Sequence, residues 1–139
     1  MSKRFTRNAA IGGAALVICC AGVALAQNVG LTRTIVTRAD VSVPNREGVV
    51  ARVEVAAGGV VGWHTHPGDE ISYVTDGEVT LLVAGQPPRK LAAGEGFVIP
   101  AGVVHSARNE GATSVKLVGV YVVEKGKPLA TPAADPTQQ

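Results

Sequence analysis

The sequence predicts an all-β domain, a sandwich or barrel of short antiparallel strands. Three observations carry that expectation. From Leu31 to Glu124, Val and Thr are dense and apolar residues alternate with polar ones. Gly, Pro, Asp and Asn interrupt the alternation at close intervals, and no stretch keeps a helical period for more than about a turn. Period-two alternation is the pattern of a strand with one face buried, and many such strands between turn residues close into a sandwich or a barrel.

The first segment, residues 1–26, has a basic start, an uncharged apolar run from Ala9 to Ala26, and Ala24-Leu25-Ala26 before Gln27. This is the three-part plan of a secretory signal peptide with a small-x-small cleavage site; an uncleaved anchor is the alternative. Removing it takes away Lys3, Arg4 and Arg7 and turns the formal charge of +2 into −1. It also removes both cysteines, Cys19 and Cys20, so disulfides and thiolate ligands are excluded. Ile18 before Cys19 argues against lipid anchoring, and Lys3-Arg4 is not a twin-arginine pair. The expected product is exported, periplasmic or secreted, with no stable membrane anchor after cleavage. With no basic patch left, nucleic acid is not an expected partner.

The strands expected next run over residues 32–37, 49–56, 62–65, 71–75, 78–84, 97–99, 104–108 and 114–123. Asp76-Gly77 supplies a tight hairpin, and Gly85-Gln86-Pro87-Pro88 and Asn109-Glu110-Gly111 break the pattern similarly. Gly58, Gly77, Gly94 and Gly102 bracket strands where positive φ or close backbone approach is needed. The barrel domain is thus expected over residues 27–125. The tail over 126–139 lacks apolar content and is expected to be loose, or draped on a neighbour. The strand Leu31-Thr32-Arg33-Thr34-Ile35-Val36 offers an exposed edge, which predicts a homodimer. A monomer mass in light scattering would contradict it.

All three histidines, His64, His66 and His105, fall in two segments with metal-site spacing. His64 and His66, two apart on a strand, point to one face, roughly 7 Å apart. Pro67-Gly68 ends that strand, and Glu70 at the start of the next can return its carboxylate toward the same interior. His105 comes 39 residues after His66, a separation that a barrel rather than a loop must close. Imidazole nitrogens with a carboxylate are the ligand set of a borderline divalent metal, and four such groups leave positions open for a substrate.

The spacings Gly58-(5)-His64-Thr65-His66-(3)-Glu70-(6)-Gly77 and Gly94-(5)-Pro100-Ala101-Gly102-(2)-His105-(3)-Asn109 resemble the two motifs of the cupin superfamily, with every position filled. The 16 residues between the motifs resemble the gap in compact bacterial single-domain members. The resemblance implies a small antiparallel β-barrel of jelly-roll type. It carries the ligand role onto His64, His66, Glu70 and His105, holding one divalent ion per chain (Fe, Mn, Ni, Cu or Zn), and it too points to a homodimer. It does not choose a reaction, because that superfamily spans enzymes, binders and storage proteins.

Other residues have two readings each. Trp63 shapes the site mouth or packs on the outer face. Tyr73 and Tyr121 donate a proton or fill space. Arg52 and Lys116 clamp a carboxylate or face solvent from alternating strands. Asp69 and Asn109 read as turn residues. Two functions follow: a metal-dependent enzyme, dioxygenase, isomerase or lyase-like, acting on a small organic molecule, or a non-catalytic module that binds a metabolite or holds a metal. No individual catalytic residue is assigned.

Overall fold

The computed structural model describes residues 27–138; the leader expected over 1–26 lies outside them. Nine strands account for nearly all regular structure among the described residues: β1 (Val29–Asp40), β2 (Arg46–Thr65), β3 (Gly68–Asp76), β4 (Glu78–Val83), β5 (Arg89–Ala92), β6 (Gly96–Ile99), β7 (His105–Arg108), β8 (Val115–Glu124) and β9 (Thr131–Pro132). A single 3-10 turn, Pro136–Gln138, follows. The pairings of described strands are all antiparallel, in the order β5-β4-β7-β2-β8-β3-β6, with β1 and β9 also on β2. The result is a nearly closed barrel of the expected all-β, jelly-roll kind.

The 20-residue β2 organises the barrel. Its first half pairs with β1 and β8, and its second half with β7 and β9. The two strands expected over 49–56 and 62–65 are therefore one bent strand. Gly58, with φ of 69°, makes the bend, and a Cβ on Gly59 would lie 2.7 Å from the Ala56 carbonyl oxygen. The glycines bend the strand instead of breaking it, so both halves continue in the ladder. β5 was not expected from the sequence; it is held by pairing with β4 rather than by any apolar run of its own.

Alternation is clean where the strands line the core. Along β3 every second residue from Gly68 to Val74 is buried, and along β8 every second residue from Val115 to Val123. The larger core cluster joins Val55, Val61, Val74, Val79, Leu81, Leu91, Ile99, Val115 and Leu117; a smaller one joins Val49, Ala51, Tyr121 and Val123. Burying such side chains stabilises each by about 1.5–3 kcal/mol relative to exposure, so the barrel does not need the site residues to hold it together.

The tail departs from expectation. Thr131–Pro132 pairs with His64–Thr65 of β2, the Ala133 amide donates to the Trp63 carbonyl, and Leu129 packs on the smaller cluster. The second half of β2 has a free edge on the side away from β7, and backbone hydrogen bonds to it need no apolar pattern in the partner. At the other end β1 is held on one side only among the described strands, by β2, and Ile35 and Val36 are exposed on it.

Candidate metal centre

The barrel gathers all four sequence candidates. His64 on β2 stands directly opposite His105 on β7, so the ladder register brings together residues 41 apart in the chain. Facing residues of an antiparallel pair hold their Cβ atoms about 5 Å apart on one face. Glu70 enters from β3, where it faces Tyr121 of β8 and Ile99 of β6. The loop after β6 is tied to the first motif, since the Gly102 amide donates to the His66 carbonyl. The Ala101 amide donates to Asp69 Oδ1 at 3.0 Å, so Asp69 caps that loop rather than serving its own turn alone.

The four side chains are buried, and one ligand atom from each lies within 4.8 Å of the others. His64 Nε2 is 3.2 Å from His66 Nε2; Glu70 Oε2 is 2.9 Å from His66 Nε2 and 3.2 Å from His105 Nε2. The other nitrogen of each ring is committed. His64 Nδ1 donates to the Gly62 carbonyl at 2.7 Å, His105 Nδ1 to the Val103 carbonyl at 2.9 Å, and His66 Nδ1 to the Leu129 carbonyl. A carbonyl oxygen only accepts, so each Nδ1 carries the hydrogen, and a ring with no second proton turns an Nε2 lone pair inward. Two such lone pairs 3.2 Å apart repel unless a cation or a proton lies between them. The donor set therefore fits a divalent ion: three imidazoles of fixed tautomer and one carboxylate.

The electrostatics agree. Burial, then the neighbouring His105, pushes His64 down to about 4 from an ordinary 6.5, so this ring stays neutral. Burial alone would raise the Glu70 carboxyl, but the contacts with His105 and His66, each of which needs a proton or a cation between the two atoms, and the hydrogen bond from Ser72 outweigh it and hold the group below the usual carboxylate range. Ser72 Oγ donates to Glu70 Oε1 at 2.6 Å, leaving Oε2 toward the histidines. A bound cation would replace the protons that the two histidine contacts otherwise require.

Two cavities adjoin the cluster. An inner one of about 40 Å³ is bounded by His64, Glu70, His105 and Tyr121 among others. An outer one of about 380 Å³ lies at the mouth, bounded by Asn28, Trp63, His64, Ala130 and Pro132 among others. Trp63 is thus both buried and part of the mouth. Tyr121 is buried with its ring 4.9 Å from that of His66, and burial raises its hydroxyl above the ordinary value. Tyr73, Arg52 and Lys116 face outward, away from the site. Asn109 is a clamp: its amide donates to the carbonyls of Val55, Ala56 and Thr113, and its Oδ1 accepts from Gly111.

Arg33 escaped the sequence reading although it lines both cavities. The signal was present: alternation along β1 puts Arg33 on the face of Leu31, the partly buried side of that strand. The Leu129 carbonyl was invisible in a different sense, because a backbone acceptor leaves no mark in a side-chain pattern.

A barrel with this constellation defines a class, and the chain belongs to it: the cupin domain family matches over residues 51–124. The chain is 38% identical over 56 residues to a dimethylsulfoniopropionate lyase of Ruegeria pomeroyi, covering 40% of this chain and 28% of the lyase. It is 35% identical over 101 residues to nectarin-1 of Nicotiana langsdorffii x Nicotiana sanderae, covering 63% of this chain and 42% of that protein. The chain thus spans less than half the length of either relative. A solved Klebsiella pneumoniae protein with a double-stranded β-helix domain superposes with a TM-score of 0.63 at 22% identity, covering 81% of this chain and 92% of that one. At that identity the superposition speaks for the fold alone.

Proposed function

We propose that the protein is a metal-dependent enzyme acting on a small organic molecule, with His64, His66, Glu70 and His105 as the ligands of one divalent ion. The observation that carries this reading is the set of three Nε2 lone pairs, each fixed by an Nδ1–H bond to a backbone carbonyl, converging with an ionised carboxylate. When bound, such an ion supplies a Lewis acid for an oxygen of the substrate or a place to activate water or dioxygen. Glu70 and the three imidazoles hold it, and Ser72 orients the carboxylate. Tyr121 keeps its proton at neutral pH and stands beside His66, placed to donate to a bound molecule. Among dioxygenase, isomerase and lyase chemistry, the similarity to a dimethylsulfoniopropionate lyase supports the lyase.

The second reading, a module that binds a metabolite or holds a metal without turnover, is favoured by one observation. The inner cavity of about 40 Å³ has room for roughly a single water-sized ligand beside the ion. One experiment addresses both. Protein loaded with cobalt should hold one ion per chain, His66→Ala should hold none while keeping its β-rich circular dichroism, and azide should change the cobalt spectrum. Full metal content in His66→Ala would refute the ligand set. A loaded wild type deaf to azide would refute the open site and leave the holding module.

A further inference from the structure

The outer cavity carries an assignment that the metal cluster does not make. Among the described residues, Arg33 Nε is the one buried side-chain nitrogen or oxygen without a hydrogen-bond partner. None of the ion pairs between described residues involves Arg33. Its guanidinium lies 5.9 Å from the centre of the Tyr121 ring, whose own centre is 4.9 Å from that of His66. A half-buried cation facing a ring gains some attraction, and the Tyr121 hydroxyl lies within its reach, but its buried Nε–H donor stays without a partner. Leaving such donors dry costs free energy, and the group that answers a guanidinium best is a planar anion taken in two-pronged fashion. Glu70 is not that anion, since its oxygens are engaged by His66, His105 and Ser72.

The space beside Arg33 also has a definite character. At about 380 Å³ it falls within the range of small-molecule sites. Val61, Trp63, Ala130 and Pro132 give it apolar walls beside the polar Gln27 and Asn28, His64 opens it toward the cluster, and among the described residues Arg33 is the one cationic side chain in its lining. One positive charge in an apolar chamber matches a singly charged ligand with a short aliphatic body, rather than a dianion such as phosphate.

We propose that the outer cavity is a binding site for a small aliphatic monocarboxylate, with Arg33 as its counter-charge and the body of the molecule laid along Trp63 toward His64. This deepens the metal-enzyme reading by naming the substrate class, and it rests on that reading only for what happens after binding. Trp63 is the sole tryptophan of the chain, so its fluorescence reports occupancy directly.

The test titrates metal-free and zinc-loaded protein with butanoate and with butanamide, its uncharged counterpart, in wild type, Arg33→Gln and Arg33→Lys. Butanoate should bind wild type at least tenfold more tightly than butanamide in both metal states. Arg33→Gln should lose at least tenfold for butanoate and nothing for butanamide, with Arg33→Lys between. Equal binding of the two ligands by wild type would overturn the proposal without recourse to a variant. Butanoate binding that needs zinc and ignores Arg33→Gln would overturn it too, by showing that the carboxylate goes to the ion. A protein that takes up no zinc yet keeps the Arg33-dependent preference would uphold this proposal while sinking the metal reading.

Discussion

The wall of the site and its cover are held by different means. His64, Glu70 and His105 stand on β2, β3 and β7, each of which is hydrogen-bonded to a neighbour on both sides. Arg33, Leu129 and Pro132 come from near the two ends of the described chain, on β1, which among the described strands pairs with β2 alone, and on a tail fixed through the two-residue β9. Two-sided ladders fix the ligand atoms to within the tolerance a metal demands. One-sided attachment makes the cover the part of low local stability, where opening costs least. The comparison teaches a division of labour: the ladders set the ion-binding geometry, while the terminal segments set access, the second contact of His66 and the charge of the mouth.

The largest effect expected from breaking this comparison concerns the wall. His64 has a folded value near 4 against 6.5 for an ordinary imidazole. Above pH 6.5 both folded and unfolded chains carry it neutral, and its contribution to stability is complete. As pH falls from 6.5 toward 4, the unfolded chain takes up a proton that the folded site refuses, so stability falls throughout that window. A shift of this size corresponds to at most about 3 kcal/mol in metal-free protein. Urea unfolding at pH 7.5 and pH 4.5 should show the loss, and His64→Gln should flatten part of it. A profile that rises on acidification, or one unchanged in His64→Gln, would contradict the buried neutral ring.

A smaller effect is expected from the cover. Ending the chain after Lys127 deletes the Leu129 carbonyl that orients His66 and the β9 pairing on His64–Thr65. Outer contacts of this kind are worth about 10–100-fold in metal affinity, and since the core clusters lie on β2 to β8 the barrel should stay folded. Competition with a chelator should place the truncated protein about tenfold weaker, near 1.4 kcal/mol. Unchanged affinity would mean that His66 is oriented by its place just past the end of β2 alone.

The same division explains what the sequence made legible. The ligands could be read because extended chain obeys a local rule: His64 on β2 and His66 just past its end, two apart, share a face, and Glu70 follows within the reach of one turn. His105 was read from its motif, and the register opposite His64 then supplies the physical reason. Gly68 was legible only in part. It reads as the end of a strand, yet it begins β3, where a Cβ would lie 2.0 Å from the Val122 carbonyl oxygen. Glycine there permits β3 to lie against β8, a contact between residues more than fifty apart that no local pattern encodes. The tail escaped for the same reason, whereas for Arg33 the alternation of β1 gave the face but not the role. β9 is two residues long and binds through its backbone, and Arg33 differs from any strand arginine only through the cavity that folding creates around it.

X-ray absorption at the metal edge of the zinc- or cobalt-loaded protein counts the imidazoles on the ion. Three histidine nitrogens are expected at about 2.0–2.1 Å with oxygen completing the shell, and two in His105→Ala. Two or fewer imidazoles in wild type, or three retained in His105→Ala, would contradict a single ion held by His64, His66, Glu70 and His105.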